Sequence, residues 1–334
     1  MRCLTIRYFT SIVVGISRLC FPFAKIAYYF CIYVQTFSAD KLVTKTAKQA
    51  AYQKKNLQSD SDDSQYNMLK KLELSREDHY ELIKTCNYYG IKFLSTAFDN
   101  DNLLFLMNEL DLDYIKIPSG ELTNYPYLRL AAQLKKPIIL STGMAVLDEI
   151  TATVDLLEKR GVPRDRLYIL HCTTEYPALV AEANLRAMDT IAEATGCKVG
   201  YSDHTMGIDI SVAAAARGAA VIEKHFTVDR GLPGPDHPAS LEPDELKRMV
   251  IAIRNVQRAL GGGVKKPASS REEGNRNAAR KSIVAARPIA AGEIFTEENL
   301  TTKRPGTGIS PMRWPEIIGK TAKRAFAEND LIEL

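Results

Sequence analysis

The chain has 334 residues, 46% hydrophobic and 25% charged, which is enough for one large domain and one small one. Its net charge of +4 comes from four basic residues that precede the first acidic residue, Asp40, so the remainder is neutral. A neutral body excludes a general nucleic-acid binder, for which a basic face is expected, but it allows a small anionic substrate. The six cysteines include no CxxC pair, which favours a reducing cytoplasm over a disulfide framework.

The N-terminal 39 residues are apolar, aromatic and free of acidic side chains. They are a candidate membrane anchor, a candidate targeting peptide, or an aberrant start that replaces the first unit of the following domain. Arg18 and Lys25 interrupt the apolar stretch, and the longest uncharged run, 26–39, is shorter than the ~18–20 residues of a spanning helix. We therefore expect no membrane partner.

Six short apolar runs recur from residue 92 onward, each followed by polar residues, and helix-type segments lie between them. The runs start at residues 92, 114, 137, 167, 198 and 220, and "SIVVG" (11–15) and "CIYVQTF" (31–37) supply two further candidates. Such strands predict a parallel sheet covered by helices, and eight of them predict a (β/α)₈ TIM barrel. A doubly wound open sheet is the alternative, but no GxGxxG follows the early strands.

In a barrel all strands end at one rim, so polar residues at the strand ends are expected to converge on one pocket. These candidates are Thr96, Lys116, Ser119, Glu121, Ser141, Tyr176, Ser202, His204, Glu223 and His225. In "IEKHF" (222–226), alternation places Glu223 and His225 on one side of the strand and Lys224 on the other. We expect His171 in the core and His79 on the surface of a helix.

Two histidines are candidate metal ligands. His204 and His225 end neighbouring strands, which lie about 4.8 Å apart in a sheet, so both imidazoles can reach one cation. Two neutral nitrogens with open coordination positions suit Mn²⁺ or Co²⁺. A structural Zn²⁺ site would require four protein ligands, and the sequence contains no such set.

One lysine and several hydroxyl groups form a candidate anion site. Lys116 supplies a full charge, and Thr96, Ser119, Ser141 and Ser202 supply hydroxyl groups. Together with backbone N–H groups in the same loops, this inventory suits a phosphate or a carboxylate. Taken singly, each hydroxyl is ordinary turn chemistry, and the prediction depends on the whole set.

The chain resembles the sialic acid synthase family from about Gln35 to its end. The segments that carry the resemblance are "KIPSGELTNYPYL", "PIILSTGM", "LHCTTEYPA", "VGYSDHT", "VIEKHFTVDRGLPGPDHPASLEP" and "ARKSIVAARPIAAGEIFTEENLTTKRPGTGISP". The resemblance implies a TIM barrel at 35–260 and a small antifreeze-like (SAF, β-clip) domain at 280–334. The polar stretch 261–279 is then a linker, and 1–34 is an aberrant segment in place of the first barrel unit.

The resemblance also implies an activity. The family's enzymes are transferases that condense phosphoenolpyruvate with an N-acylated amino sugar, here N-acetylmannosamine, to give N-acetylneuraminate and phosphate. A sibling synthase that makes legionaminic or pseudaminic acid from a 6-deoxy-diacetamido sugar is the alternative. A Mn²⁺ cofactor, with Mg²⁺ and Co²⁺ as alternatives, a cytoplasmic location and a domain-swapped homodimer are implied as well.

The same resemblance assigns roles to residues. His204 and His225 match the metal ligands, and Glu223, Lys116 and Glu121 are the implied catalytic residues. The implied substrate contacts are Thr96, Lys116, Ser119, Ser141, Tyr176, Ser202 and Arg304. Arg304, in "KRPG", matches an arginine that the antifreeze-like domain of a neighbouring subunit places over the barrel mouth.

The resemblance fails at the N terminus. The family's first strand carries an E-I-G-x-N-H-x-G motif that nothing in 1–34 matches, and Tyr33 stands where a lysine for the substrate anion is expected. A frameshifted or divergent start explains this better than an anchor, which would precede the barrel and not replace its first unit. A catalytically impaired homologue that acts as a binding subunit is therefore a further hypothesis.

Overall fold

A computed structural model describes residues 10–15, 30–57, 63–267 and 269–334. Most of the aberrant segment, and with it the hypotheses of an anchor, a targeting peptide or a frameshifted start, lies outside these residues. Within the described ranges, none of the helices has the length and apolar character needed to span a membrane. The chain divides into two compact units, Met1–Gly261 and Gly262–Leu334.

The first unit is built on a curled parallel sheet of seven strands, β2 to β8, in which each strand pairs with the next in sequence. The strands are β2 (Phe30–Thr36), β3 (Lys92–Ala97), β4 (Ile115–Ile117), β5 (Ile138–Ser141), β6 (Leu167–Cys172), β7 (Lys198–Asp203) and β8 (Val221–Phe226). The six apolar runs from residue 92 onward thus form β3 to β8, because each run is short, apolar and followed by turn residues.

The strand β1 (Thr10–Gly15) departs from the expectation of eight parallel units. It joins the two ends of the curled sheet, but it pairs antiparallel with both β2 and β8, with Ser11 opposite Tyr33 and His225. A parallel neighbour requires a crossover of a dozen or more residues, usually with a helix, whereas an antiparallel neighbour does not. The connection between β1 and β2, residues 16–29, reaches this minimum, so its length alone does not dictate the antiparallel direction.

Helices follow the strands along the first unit. They are α1 (Ala39–Leu42), α2 (Ala51–Leu57), α3 (Gln65–Lys70), α4 (Arg76–Tyr89), α5 (Asn100–Leu104), α6 (Tyr125–Gln133), α7 (Leu147–Lys159), α8 (Ala187–Thr195), α9 (Asp209–Ala216) and α10 (Pro243–Ala259). Their ends follow local chemistry. In α4, Ser75 and Asp78 form a reciprocal capping box, and Gly90 ends the helix with a left-handed φ of 66°.

Alternation along the strands separates the packed core from the barrel interior. In β4, the side chains of Ile115 and Ile117 belong to the main hydrophobic cluster, while Lys116 between them is also buried but points the other way. In β8, Lys224 pairs with Asp203 of β7 at 2.9 Å, and both side chains are fully buried. Lys224 thus lies on the opposite side of β8 from Glu223 and His225, as the alternation predicts.

The expectation for His79 is wrong. Its side chain is buried between α4 and the barrel wall, where its Nε2 lies 2.6 Å from the Thr36 hydroxyl and its Nδ1 lies 2.7 Å from the Ser75 carbonyl oxygen. The rings of Phe93 and Phe105 pack edge-on against it. The polar residues around it in sequence conceal that one face of the helix carries this imidazole into the core. His171, expected in the core, is half-buried, and its Nε2 lies 3.0 Å from the carbonyl oxygen of Ala183.

The second unit contains α11 (Ser270–Ala279), β9 (Ser282–Ala285), β10 (Leu300–Lys303) and α12 (Trp314–Ile317). β9 and β10 form an antiparallel pair, and the remainder is mostly loops. A separate small core, in which Ile283, Phe295 and Phe326 are almost fully buried, holds these loops together.

Candidate active site

Strand register brings the predicted site residues together at the carboxyl ends of the strands. Thr96 of β3 is in register with Lys116 of β4. On the other side of the barrel, Cys172, Ser202 and Glu223 are in register across β6, β7 and β8. Their side chains therefore face the same interior, because residues in register share a face of a sheet.

Lys116 places a positive charge in this interior. Its side chain is only 2% exposed, and its Nζ donates a hydrogen bond of 2.7 Å to the Ser141 hydroxyl. The same Nζ lies 3.4 Å from a carboxylate oxygen of Glu223 and 6.0 Å from the centre of the Tyr33 ring. The ammonium group is therefore held between a hydroxyl, a carboxylate and an aromatic face.

Glu223 connects the lysine to the histidines. Its Oε1 accepts a hydrogen bond of 2.7 Å from the Ser202 hydroxyl, and that hydroxyl lies 3.5 Å from His204 Nε2. The other nitrogen of His204, Nδ1, lies 2.6 Å from the carbonyl oxygen of Thr173. A carbonyl can only accept, so Nδ1 carries the proton and Nε2 keeps its lone pair.

The two histidines fit a shared cation. Their ring centres are 5.2 Å apart, and a nitrogen ligand about 2.1 Å from a metal places two such rings roughly 5 Å apart. Burial lowers the pKa of His204 and holds that of His225 well below its usual value, so both imidazoles are neutral. Within the described part of the chain, no group of three or more His, Cys, Asp or Glu converges on a metal position. Any further ligands would have to come from substrate or water.

Asp236 faces His225 from the loop that follows β8. Its carboxylate lies 3.8 Å from His225 Nδ1, and burial raises its pKa to about 7. At 3.8 Å the two groups form no hydrogen bond, so Asp236 is a near neighbour of His225 Nδ1 and not a group that fixes its ring.

Tyr176 lies against both imidazoles. Its ring centre is 4.2 Å from that of His204 and 5.4 Å from that of His225. Burial raises the pKa of its hydroxyl well above the usual value, so it stays protonated and can donate a hydrogen bond. Tyr176 thus packs against the ring of His204, whereas Ser202 approaches the Nε2 atom of the same ring.

Several polar atoms of the interior are buried without a hydrogen-bond partner among the described residues. They are the Thr96 hydroxyl, the Thr174 hydroxyl and the second carboxylate oxygen of Glu223, Oε2, whose contact is the ion pair with Lys116 at 3.4 Å. Buried polar atoms are normally hydrogen-bonded, so such orphans at one rim are typical of a site that completes its bonds with a ligand.

The loop after β5 approaches this rim closely at Gly143. Its N–H donates to the Ser119 hydroxyl at 2.9 Å, and a Cβ there would lie 2.0 Å from the Thr174 hydroxyl. Ser119 in turn lies 3.5 Å from the Cys172 thiol, whose pKa is raised by burial. Ser119 is thereby placed beside the β6 end of the interior.

Two predicted site residues are not joined to this network by a described contact. Glu121 is buried just after Ser119, and its carboxylate accepts a hydrogen bond of 2.5 Å from Asn124. Burial raises the pKa of Glu121, so its charged form is disfavoured. Arg304 lies in the second unit, exposed, with its Nε donating to the Ala279 carbonyl at 3.0 Å.

Sequence reasoning missed three residues next to the site. Asp236 lies in "GPDHPAS", a stretch that carries no strand pattern, and its buried position depends on the loop after β8 folding back. Tyr52 and Asn56 lie on α2, far from the other site residues in sequence. A signal in the sequence was that α2 lies in the connection between two barrel strands, and the connections that follow strands form the catalytic face.

Comparisons with known proteins agree with this architecture. The model of the NeuB family matches residues 23–265, and that of the SAF domain matches residues 280–333. An N,N'-diacetyllegionaminic acid synthase from Campylobacter jejuni is 52% identical over 298 residues, which cover 89% of this chain and 88% of that protein. The protein of the same description from Legionella pneumophila is 47% identical, over 85% of this chain and 80% of its own length.

A solved structure shows the same likeness in three dimensions. The crystal structure of an N-acetylneuraminic acid synthetase from Leptospira borgpetersenii, in complex with citrate, is 31% identical with a TM-score of 0.61. The match covers 73% of this chain and 78% of that one. With a family model that spans most of the chain and relatives of this identity along most of its length, the chain belongs to the NeuB family of sialic acid-type synthases and carries a SAF domain.

Proposed function

We propose that this chain condenses phosphoenolpyruvate with a 6-deoxy-diacetamido sugar aldehyde to give a legionaminic-type acid and phosphate. The observation that carries a synthase role is the continuous series of contacts from Ser141 through Lys116, Glu223 and Ser202 to His204. We propose this sugar as the acceptor and not N-acetylmannosamine, which the sequence analysis named first. The reason is that the two legionaminic acid synthases are 52% and 47% identical to this chain, whereas the N-acetylneuraminic acid synthetase is 31% identical.

Phosphoenolpyruvate is assigned to the lysine side of the site. The Lys116 ammonium and the hydroxyls of Thr96, Ser119, Ser141 and Ser202 would bind its phosphate and carboxylate through charge-assisted hydrogen bonds. Support comes from Thr96, whose buried hydroxyl has no hydrogen-bond partner in the described part of the chain, and from Lys116, whose buried ammonium lies 3.4 Å from Glu223. Lys116 would also offset the negative charge that develops as phosphate leaves.

The sugar is assigned to the histidine side. When bound at His204 and His225, a divalent cation such as Mn²⁺ supplies Lewis acidity toward the aldehyde oxygen. The neutral imidazoles and the fixed Nδ1 proton of His204 support this assignment. Tyr176 would position the sugar through its protonated hydroxyl and its ring.

The bond changes require one proton acceptor. The electron pair of the enol C=C bond joins the enol carbon of phosphoenolpyruvate to the aldehyde carbon. Water adds its oxygen to the carbon that carries the phosphate, and one of its protons ends on the former aldehyde oxygen, which becomes a hydroxyl. The C–O bond to phosphate then breaks, the carbon becomes a ketone, and the second water proton leaves on the phosphate. Glu223 would take the proton from this water through Oε2, which is ion-paired with Lys116 at 3.4 Å but has no hydrogen-bond partner among the described residues.

Phosphate release from phosphoenolpyruvate tests this function. Purified chain would be assayed with a 6-deoxy-diacetamido sugar, with N-acetylmannosamine and without sugar, each with Mn²⁺, Mg²⁺ or Co²⁺. We expect sugar-dependent release that is fastest with the diacetamido sugar, is lost with a chelator and is restored by metal. Glu223→Gln should abolish it, whereas Glu77→Gln, an exposed glutamate of α4, should not. Release that needs no sugar would contradict the proposal.

A second candidate function rests on Tyr33. This residue is buried beside Lys116, at a position where the resemblance expects a lysine that binds the substrate anion. A site with one cation fewer would bind phosphoenolpyruvate weakly, and the chain would then act as a binding subunit and not as an enzyme. Tyr33→Lys should lower the Kd for phosphoenolpyruvate, and Tyr88→Lys, at a highly exposed tyrosine, should leave the Kd unchanged.

The assembly is proposed on the resemblance. We propose a cytoplasmic homodimer in which Arg304 of the 280–334 domain reaches the 35–260 barrel of the neighbouring subunit across the linker 261–279. Subunits with Glu223→Gln and subunits with Arg304→Ala should each be inactive. Mixed together, they should regain part of the activity, because one site of a mixed dimer is then complete. No recovery in a confirmed mixed dimer would contradict action across subunits.

A further inference from the structure

The helix α2 contacts Tyr176, the residue that packs against the histidines, and has no role in the reaction described above. Tyr52 and Asn56 are four residues apart, so they share one face of this helix. The Asn56 side-chain amide donates two hydrogen bonds, 2.9 Å to the carbonyl oxygen of Tyr176 and 2.6 Å to that of Pro235. One side chain thus ties α2 to the loops that follow β6 and β8.

Through this attachment Tyr52 extends the aromatic side of the site. Its ring centre lies 4.9 Å from that of Tyr176 with the planes tilted by 30°, and Tyr176 in turn lies 4.2 Å from His204. These are stacking distances for aromatic pairs. A row of three rings therefore runs from His204 through Tyr176 to Tyr52.

Because other residues would bind the anionic substrate, the row of aromatic rings is the place that remains for the acceptor sugar. Ser202 approaches the Nε2 atom of His204, and Glu223 and Lys116 continue from Ser202; these groups belong to phosphoenolpyruvate in the proposed function. A sugar with its aldehyde at the histidines would therefore extend along the rings toward Tyr52.

We infer that Tyr52 is a specificity-determining residue that favours an acceptor whose far end is apolar. This inference rests on the proposed function and names the part of the sugar that is recognised. The face of an aromatic ring gains contact with a methyl or acetamido group. A hydroxymethyl group in the same place loses water without gaining a hydrogen bond to the ring, which disfavours it. Asn56 is a positioning residue, since it acts by holding α2 against the two loops.

Acceptor selectivity tests the inference. The full chain and its Tyr52→Ala, Tyr52→Leu and Tyr52→Phe variants would be assayed for phosphate release with a 6-deoxy-diacetamido hexose and with N-acetylmannosamine. Replacing the flat ring should lower kcat/KM for the diacetamido sugar about tenfold more than for N-acetylmannosamine, the lower end of what one methyl-sized contact discriminates. Tyr52→Phe should keep the selectivity, and the KM for phosphoenolpyruvate should stay unchanged in all variants.

Controls separate selectivity from folding. Tyr88→Ala, at an exposed tyrosine of α4, should change neither kcat/KM value. Asn56→Ala should raise the KM for the diacetamido sugar more than it lowers kcat, because the helix is displaced while the reacting groups are intact. Far-UV circular dichroism would verify that each variant is folded, and Tyr52→Leu retains apolar bulk in case Tyr52→Ala does not fold.

Two results would overturn the inference in different ways. An equal fall of kcat/KM for both sugars in a folded Tyr52 variant would show that the ring only supports the site, while the synthase function stands. Absence of phosphate release by the unmodified chain with either sugar would refute the proposed function itself and, with it, selection by Tyr52.

Discussion

The buried pair of Asp203 and Lys224 should be the most sensitive stabilising contact of the barrel wall. Their charged atoms are 2.9 Å apart, and both side chains are fully buried. Asp203 also accepts hydrogen bonds from the Thr205 N–H at 2.9 Å, the Thr205 hydroxyl at 2.7 Å and the Ser211 hydroxyl at 2.6 Å. Lys224 donates to the carbonyl oxygen of Thr205. The pair joins β7 to β8 directly behind the residues that face the interior.

Lys224→Met removes the cation and leaves the buried carboxylate of Asp203 uncompensated. Breaking a buried ion pair from one side costs about 3–5 kcal/mol in the free energy of unfolding. The three donors around Asp203 remain, so we expect the lower end of this range. With about 2–4 °C per kcal/mol for a domain of this size, Tm should fall by roughly 6–12 °C.

Urea denaturation followed by circular dichroism is the appropriate assay, because the single tryptophan, Trp314, lies in the second unit. Lys92→Met is a matched control: Lys92 begins β3 and pairs with Asp113 on the surface at 2.6 Å. That exposed pair should contribute about 0–1 kcal/mol. Asp203→Asn combined with Lys224→Met should be more stable than Lys224→Met alone. A Lys224→Met variant within about 1 kcal/mol of the unmodified chain would refute the reasoning.

Three further predictions concern the interior and its support. Ser202→Ala removes a hydrogen bond to the Glu223 carboxylate that is worth about 1.5–3 kcal/mol. The value of kcat/KM for phosphate release should therefore fall roughly 10- to 150-fold while the variant stays folded, and an unchanged value would contradict this. Gly143→Ala places a Cβ 2.0 Å from the Thr174 hydroxyl and should lower the free energy of unfolding in urea by about 1–3 kcal/mol. Adding Thr174→Ala should recover most of this loss, and no recovery would contradict the prediction. Burial lowers the pKa of His79 in the folded chain. Below about pH 6.5 the imidazole therefore binds a proton in the unfolded chain but not in the folded chain. The free energy of unfolding then falls as pH falls from about 6.5 to the folded pKa. His79→Gln should therefore lose less free energy of unfolding than the unmodified chain between about pH 7.5 and 5.5, and an equal loss would refute this.

Much of the site was readable from sequence because its residues occupy strand ends. An apolar run of four to seven residues that ends in polar residues is a local signal, and in a parallel sheet all such ends meet at one rim. Alternation then assigns neighbouring residues to opposite faces, which is why Glu223 and Lys224, adjacent in sequence, have entirely different partners.

The sequence by itself determined the positions of β3 to β8, the sides of the strands on which Glu223 and Lys224 lie, and the family, because each depends on residues close together in the chain. Only the tertiary structure decided that β1 runs antiparallel, that His79 is buried, and that Tyr52 lies in a row with Tyr176 and His204. These features depend on contacts between segments separated by many residues, and such contacts leave no periodic pattern in either segment. Packing between distant parts of the chain, and not local preference, fixed them.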